Sequence, residues 1–181
     1  DISILEALDY NVFQIQSTPK KTIASFVINR IKEKIKSIFY VPRSKIVIIW
    51  FNDYHAFIPI LFSKLFFKKS VIVVGGYDAI VDEQNGHGLF FKKGIRSKLA
   101  KINYSLASEI WVVHKSLEKG CRYAKEKFNI VSGVRSFFDT KKLIIKEINT
   151  GYDTRFWNYD TNYEKTGVLT AAFFSDERVI N

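Results

Sequence analysis

Val71 to Asp78 reads VIVVGGYD: four consecutive β-branched residues, two glycines, an aromatic ring and a carboxylate. A half-exposed strand alternates apolar with polar residues, so a run with no polar member fits a strand covered on both faces. That is the pattern of a parallel sheet between helix layers. Gly75-Gly76 ends the strand, and Tyr77-Asp78 opens a polar loop running to about Gly88. In open α/β sheets ligands bind beyond the carboxyl ends of the strands, where backbone approaches them closely. Gly75, Gly76, Tyr77 and Asp78 are therefore candidate substrate contacts. The plainer alternative is that the glycines only make a tight turn.

The flanking segments fit the same plan. Lys45–Phe51, KIVIIWF, reads as a second buried strand and ends in Asn52-Asp53-Tyr54-His55. An apolar helix over Ala56–Phe67 connects it to VIVV, a strand–helix–strand crossover of the usual βαβ size and right hand. The crossover puts Asn52, His55 and Gly75-Gly76 on one edge of the sheet, which makes Asn52 a further candidate substrate contact. Downstream, the stretch from Ala79 to Gly88 reads as a polar loop whose composition, with His87, suits closure over a substrate. A helix over Leu89–Leu106, a strand at Glu109–Val113, a helix from His114 to about Phe128, a loop over Asn129–Thr140 and a strand at Leu143–Ile148 follow. The expected fold class is α/β: a Rossmann-like parallel sheet with helices on both faces.

Upstream, Ile2, Leu5 and Leu8 give a helix over Asp1–Leu8, and Asn11–Gln16 alternates as a strand does. Ser17-Thr18-Pro19 reads as a helix start, with Thr18 as cap and Pro19 at the first helical position. That helix runs to about Phe39, with an apolar stripe of Ile23, Val27, Ile31, Ile35 and Ile38 among lysines and Arg30. The first strand expected of a doubly wound domain is not visible, and the chain opens on Asp1 as if cut from something longer. Gly167–Phe174, GVLTAAFF, reads as the opening strand of another domain.

Among 181 residues, 47% are hydrophobic, enough for one packed core. The single cysteine, Cys121, rules out an internal disulfide framework and suits a reducing, cytoplasmic compartment. The longest apolar run, Ala56–Phe67, is too short to span a bilayer. The net charge of +10 is compatible with nucleic acid, an anionic membrane surface, phosphorylated ligands or a bias in composition. Basic residues are spread over several helices without interleaved exposed aromatics, which argues against nucleic acid. Neither His55 nor His87 has a Cys or carboxylate at metal-ligand spacing, so no metal site is expected.

The motifs, in order, resemble one enzyme family. Ala107-Ser-Glu-Ile-Trp-Val-Val-His-Lys-Ser-Leu117 resembles the acidic residue, apolar strand and Ser/Lys-rich helix start of retaining GT-B-fold glycosyltransferases of the family 4-like group. Thr150-Gly151-Tyr152-Asp153-Thr-Arg-Phe-Trp157 resembles the Asn-Gly-Val-Asp plus aromatic sequence that closes their N-terminal domain. Gly75-Gly76-Tyr77-Asp78 stands where relatives have His-Gly-x-Asp, and GVLTAAFF follows where their second domain begins.

The resemblance implies an acceptor-side N-terminal domain over residues 1–160 and the start of a donor-side domain over 161–181. Such enzymes bind no cofactor or metal and take a nucleotide-diphosphate sugar as donor, transferring the sugar with retention. The acceptor is a carbohydrate or a lipid-linked one, as in polysaccharide or lipopolysaccharide biosynthesis. The C-terminal domain completes the enzyme, so this portion alone is expected to be inactive. Thr150, Gly151 and Asp153 would be interdomain residues. Relatives acting on lipid-linked acceptors sit peripherally on membranes through basic, apolar surfaces, and the +10 charge and Phe62–Lys69 segment are compatible with this.

Two departures stand out. Gly75 replaces the histidine that relatives place near the donor sugar, leaving His55 as the candidate catalytic residue and His87 as a further substrate contact. His114 stands where relatives have a capping serine. Rival readings are a GT-B-fold sugar-nucleotide epimerase or inverting transferase, a basic nucleic-acid-binding module, and a non-catalytic sugar-binding protein.

Overall fold

Hydrogen-bond register accounts for the apolar run at VIVV. A computed structural model describes residues 2–16, 22–138 and 143–148. Its strands are β1 (Ile46–Trp50), β2 (Lys69–Val74), β3 (Ile80–Asp82), β4 (Glu109–Val112), β5 (Ile130–Ser132) and β6 (Ile145–Glu147). β1, β2, β4 and β6 form a parallel sheet in that order, and β3 pairs antiparallel with β5. β2 is interior: Ile48 lies beside Val71 and Trp50 beside Val73 on one flank, and Val71 lies beside Glu109 and Val74 beside Val112 on the other. Val71, Ile72, Val73 and Val74 are all buried. The helices are α1 (Ile2–Ala7), α2 (Ile23–Tyr40), α3 (Phe57–Leu65), α4 (Ile95–Leu106), α5 (Ser116–Lys119) and α6 (Arg122–Phe128). Flanked by helices, the parallel sheet is Rossmann-like, as the sequence predicts.

The core lies between the sheet and α3 and α4, where Ile49, Ile72, Val74, Ile110 and Val112 meet Ile60 and Tyr104. Each such aliphatic side chain removed from water contributes roughly 1.5–3 kcal/mol. Residues Asp1–Ile148 form one compact unit. Thr150, Gly151, Asp153, the strand at Gly167–Phe174 and the junction at 160–161 lie outside the described residues, as do Thr18 and Pro19.

Several expectations are corrected. Asn11–Gln16 forms no strand; Phe13 instead stacks on Tyr40 with ring centroids 4.8 Å apart. The long helix starts at Ile23 with Thr22 as cap, its Oγ1 accepting the Ser25 N–H. β1 is buried on one face only: Ile49 is in the core, whereas Ile46, Ile48 and Trp50 are exposed. The helix expected from Leu89 begins at Ile95, because Leu89 and Phe90 fold into the core as a turn and Phe90 stacks on Phe137 at 4.5 Å. The helix expected from His114 to Phe128 is broken into α5 and α6 at Gly120, whose φ of 88° no helix accepts. The loops expected at Ala79–Gly88 and Asn129–Thr140 contain β3 and β5, each built on an Ile-Val pair too short to display a period of two.

Helix α2 carries its apolar stripe away from the domain: Ile23, Val27, Ile31, Ile35 and Ile38 are 85%, 48%, 50%, 48% and 44% exposed. The inward face carries Ser25, Asn29, Arg30, Glu33 and Ser37, and this face packs on α3. Small polar residues allow close approach there. Ser37 Oγ returns its hydrogen bond to the Glu33 carbonyl (2.8 Å), and Arg30 pairs with Glu33 (2.8 Å) while lying over the Tyr54 ring.

At the amino-terminal edge of the sheet, Glu109 joins three adjacent strands. Its carboxylate accepts from Lys69 (2.7 Å), Lys146 (3.0 Å) and Trp111 Nε1 (2.9 Å). The hydrogen bond from Lys69, then those from Trp111 and Lys146, hold its pKa down at about 2, against an ordinary 4.5. A depressed carboxylate stabilises the fold above its unfolded pKa and loses that contribution as pH falls through the folded one. Glu109→Gln is therefore expected to lower the thermal midpoint at neutral pH, with the gap to the parent closing as pH falls from about 4.5 toward about 2. Melting curves across that range check this, and a gap independent of pH would contradict it.

Candidate functional site

The strands β1 and β2 run parallel, so their carboxyl ends open onto one rim. Its floor is a buried polar network. After β2 the chain turns at Gly75-Gly76, where Gly76 has φ 127° and ψ −66°, a conformation reserved for glycine. The turn points the Gly75 and Gly76 N–H groups at Asp78 Oδ1, each at 3.1 Å, while Asn52 N–H donates to Asp78 Oδ2 at 2.8 Å. One carboxylate thus ties the ends of two neighbouring strands together. Burial pushes the Asp78 carboxyl up, and the N–H donors of Asn52, Gly76 and Gly75 pull it back.

The network continues into α4. Tyr104 Oη donates to the Asp78 carbonyl (3.0 Å), Asn52 Nδ2 to the Ala100 carbonyl (2.8 Å), and Asn103 Nδ2 to Asn52 Oδ1 (2.9 Å) and the Asp53 carbonyl (3.0 Å). Asn52 and Asp78 are each 1% exposed, so they form the floor rather than its surface. The N–H groups of Gly75 and Gly76, candidates for close approach to a ligand, are occupied by this internal carboxylate.

What the rim presents to solvent is aromatic and cationic. Phe51 leaves β1 with φ 62°, a left-handed conformation that costs an L-residue energy, and its ring lies over Gly75 where a Cβ would collide with it. Arg96, on the first turn of α4, donates to both carboxylate oxygens of Asp53, with Nε–Oδ1 at 2.7 Å. Asp53 Oδ1 also accepts the Tyr54 N–H at 2.7 Å. The pair is half exposed, so its net contribution to stability is at most about 1 kcal/mol. Its geometric effect is larger: the guanidinium carbon sits 5.8 Å from the Tyr54 ring centroid and 5.6 Å from that of Tyr77. The hydrogen bond that Arg96 donates to Asp53 raises its pKa further, so the cation is permanent.

Tyr77 also meets His87 edge-to-face at 5.1 Å. His87 closes a hairpin with Asp82 through paired backbone hydrogen bonds of 2.9 Å, and Asp82 accepts from Asn85 N–H (3.1 Å) and Nδ2 (2.8 Å). The expected open loop is therefore a bonded turn with His87 at the rim. His55 is half-buried beside Tyr54; burial lowers its pKa, opposed by the Asp53 charge. His114 fills the capping role that a serine would: Nδ1 accepts the Ser116 N–H at 3.2 Å and faces Ser116 Oγ at 2.9 Å. Among the described residues no cluster of His, Cys, Asp or Glu is arranged to hold a metal ion.

Structure thus brings Asn52, Gly75, Gly76, Tyr77, Asp78 and His87 to one rim, with His55 behind it. It adds Arg96, Tyr54 and Phe51, which the sequence reading did not single out. The available signal was Asp53-Tyr54 at one strand end and a cation in the first turn of a later helix, with nothing in the sequence to say that they meet. No family model matches the chain, and no curated protein or solved structure matches it.

Asp78→Asn is expected to lower unfolding free energy by about 1–3 kcal/mol, because an amide NH2 replaces one acceptor and leaves a buried N–H unpaired. Urea unfolding monitored by tryptophan fluorescence measures this. An unchanged midpoint would mean that the three N–H groups do not depend on the carboxylate.

Proposed function

We propose that the chain is the acceptor-side, N-terminal portion of a retaining GT-B-fold glycosyltransferase of the family 4-like type. In this reading it presents a glycan or lipid-linked acceptor to a nucleotide-sugar donor held by a C-terminal domain. The observation that carries the reading is the rim itself. Loops from the carboxyl ends of parallel strands gather exposed aromatic rings, Tyr54 and Tyr77, around the cation of Arg96. Flat rings with polar edges, beside a fixed donor of hydrogen bonds, suit the apolar faces and hydroxyl-bearing edges of a sugar. The order of the sequence motifs supports the same assignment.

Arg96 would donate to acceptor hydroxyls, with Asp53 fixing its direction, while Tyr77 and Tyr54 supply the stacking surface. Asp78 and Asn52 hold the rim in shape from beneath. His55, whose pKa burial lowers, is the candidate base, and its half-buried ring suits a positioning role. A lipid-linked acceptor would require a peripheral position on the cytoplasmic face of a membrane. Among the described residues no helix is long and apolar enough to cross one.

Titrating the chain with neutral oligosaccharides and with lipid-linked saccharides, read by tyrosine and arginine side-chain resonances, tests the reading. Binding is expected to perturb Tyr77 and Arg96, and Tyr77→Ala or Arg96→Ala is expected to weaken it roughly tenfold. Mixed with nucleotide-sugar donors, the 181-residue chain is expected to transfer no sugar. Saccharide binding unaffected by either substitution would move the acceptor site elsewhere. Transfer by this chain alone would contradict the division of labour.

A further inference from the structure

Strand β1 lies at one side of the parallel sheet, and among the described residues it has β2 as its only strand neighbour. Its open side carries none of the devices that keep sheet edges apart. Ile46–Trp50 holds no charge and no proline, and its register with β2 runs without a bulge. β6, at the other side of the sheet, is shorter and carries Lys146 and Glu147. The bonding groups on the open side of β1 follow from its register. Phe51 N–H donates to the Val73 carbonyl at 3.0 Å. Alternate residues of a strand turn to the same neighbour, so Val47 and Ile49 also bond toward β2. The N–H and C=O groups of Ile46, Ile48 and Trp50 therefore point outward along the open side. The side chains of these three residues share one face and are 39%, 43% and 52% exposed.

From this juxtaposition we infer that β1 pairs antiparallel with β1 of a second copy of the chain, about a two-fold axis at Ile48, joining two sheets into one. Symmetry and charge select this occupant. A two-fold contact must match itself in reverse, and β1 does so. With Ile48 opposite Ile48, Ile46 of each copy falls opposite Trp50 of the other. Each of the three open residues then exchanges N–H···O bonds with its counterpart. Their exposed side chains become cross-strand neighbours, and aromatic–β-branched pairs such as Trp50 with Ile46 are favourable ones. The same reversal sets the Lys45 end of each strand beside the Asn52-Asp53 end of the other, cation toward carboxylate. The two Lys45 positions lie about 20 Å apart, six residues of strand, beyond the screening length of ~8 Å. The net charge of +10 therefore does not gather at the seam. A parallel copy would instead put Lys45 beside Lys45. Antiparallel pairing also sends the two carboxyl-end rims to opposite ends of the joined sheet, so each stays open, with Lys45 of the second copy brought toward its Asp53 corner. The inference goes beyond the acceptor-side reading and does not rest on it.

Sedimentation equilibrium of the full chain at about 1–300 μM and physiological salt tests it. A monomer–dimer equilibrium is expected, with a Kd on the order of 10–100 μM, as suits a small contact. Ile48→Lys sets two cations face to face on the axis and is expected to weaken the dimer about tenfold or more. The thermal midpoint of the dilute chain is expected to stay unchanged, because Ile48 is exposed. Cross-linking reads the register, and it decides the matter even where that variant fails to fold. In a Cys121→Ser background, Ile48→Cys is expected to give a disulfide-linked dimer under mild oxidation, its two Cα atoms about 5.5 Å apart. Ile46→Cys, whose two copies would lie about 14 Å apart, is expected to give none. A chain monomeric over the whole range, an undiminished dimer in a folded Ile48→Lys, or equal cross-linking at both positions would overturn the inference. Species growing past the dimer would overturn it as well, since two-fold pairing closes on itself. A dimer lost in Ile31→Glu with Ile35→Glu but kept in Ile48→Lys would move self-association to α2 and likewise overturn it.

Discussion

A single buried carboxylate sets the geometry of the rim. Asp78 collects N–H groups from the residues just past β1 and β2, groups that would otherwise be orphaned as the strands end. Satisfying them internally lets the sheet finish abruptly, without a long loop to carry the backbone away. The cost is local strain: Gly76 must take a conformation closed to other residues, and Phe51 sits in the left-handed region. Both are held because Asn52, one residue past Phe51, is anchored through its N–H to Asp78 and through its side chain to α4. With the backbone polar groups spent below, the surface left to a ligand consists of side chains.

Much of this fold was legible because burial on both faces leaves a mark in one dimension. VIVV has no polar member since β2 has neighbours on both flanks and cover on both faces. EIWVV and the strand after Leu143 were found near their observed positions for related reasons. KIVIIWF carries the same mark, yet Ile46, Ile48 and Trp50 are exposed, so composition reports apolar residues without reporting what covers them. α2 makes the same point more strongly: its period of 3.6 marks a helix and its stripe but does not encode which face meets the domain. β3 and β5 were missed because three residues cannot establish a period.

The candidate site was half legible. Polar residues after strand ends identified the right edge, and Tyr77 and His87 meet there in space. Sequence position alone did not separate residues that build the edge from those that face outward. Asn52 and Asp78 look as available as Tyr77 in the sequence, yet they are enclosed by partners more than 20 residues away. Arg96 joins the rim through an ion pair to a residue 43 positions earlier, which no local pattern encodes. Two surfaces result, an aromatic and cationic rim and an apolar helix bordered by lysines, and the functional proposal assigns a sugar to the first.

Amide hydrogen exchange, resolved by residue, tests the central role of the Asp78 carboxylate most directly. Asn52, Gly75 and Gly76 lie at or beyond strand ends, where amides ordinarily exchange with the loops. The account predicts that all three are protected to the same degree as Val71 and Ile72 inside the interior strand β2. Exchange as fast as that of the exposed Glu83–Gly86 turn would contradict it.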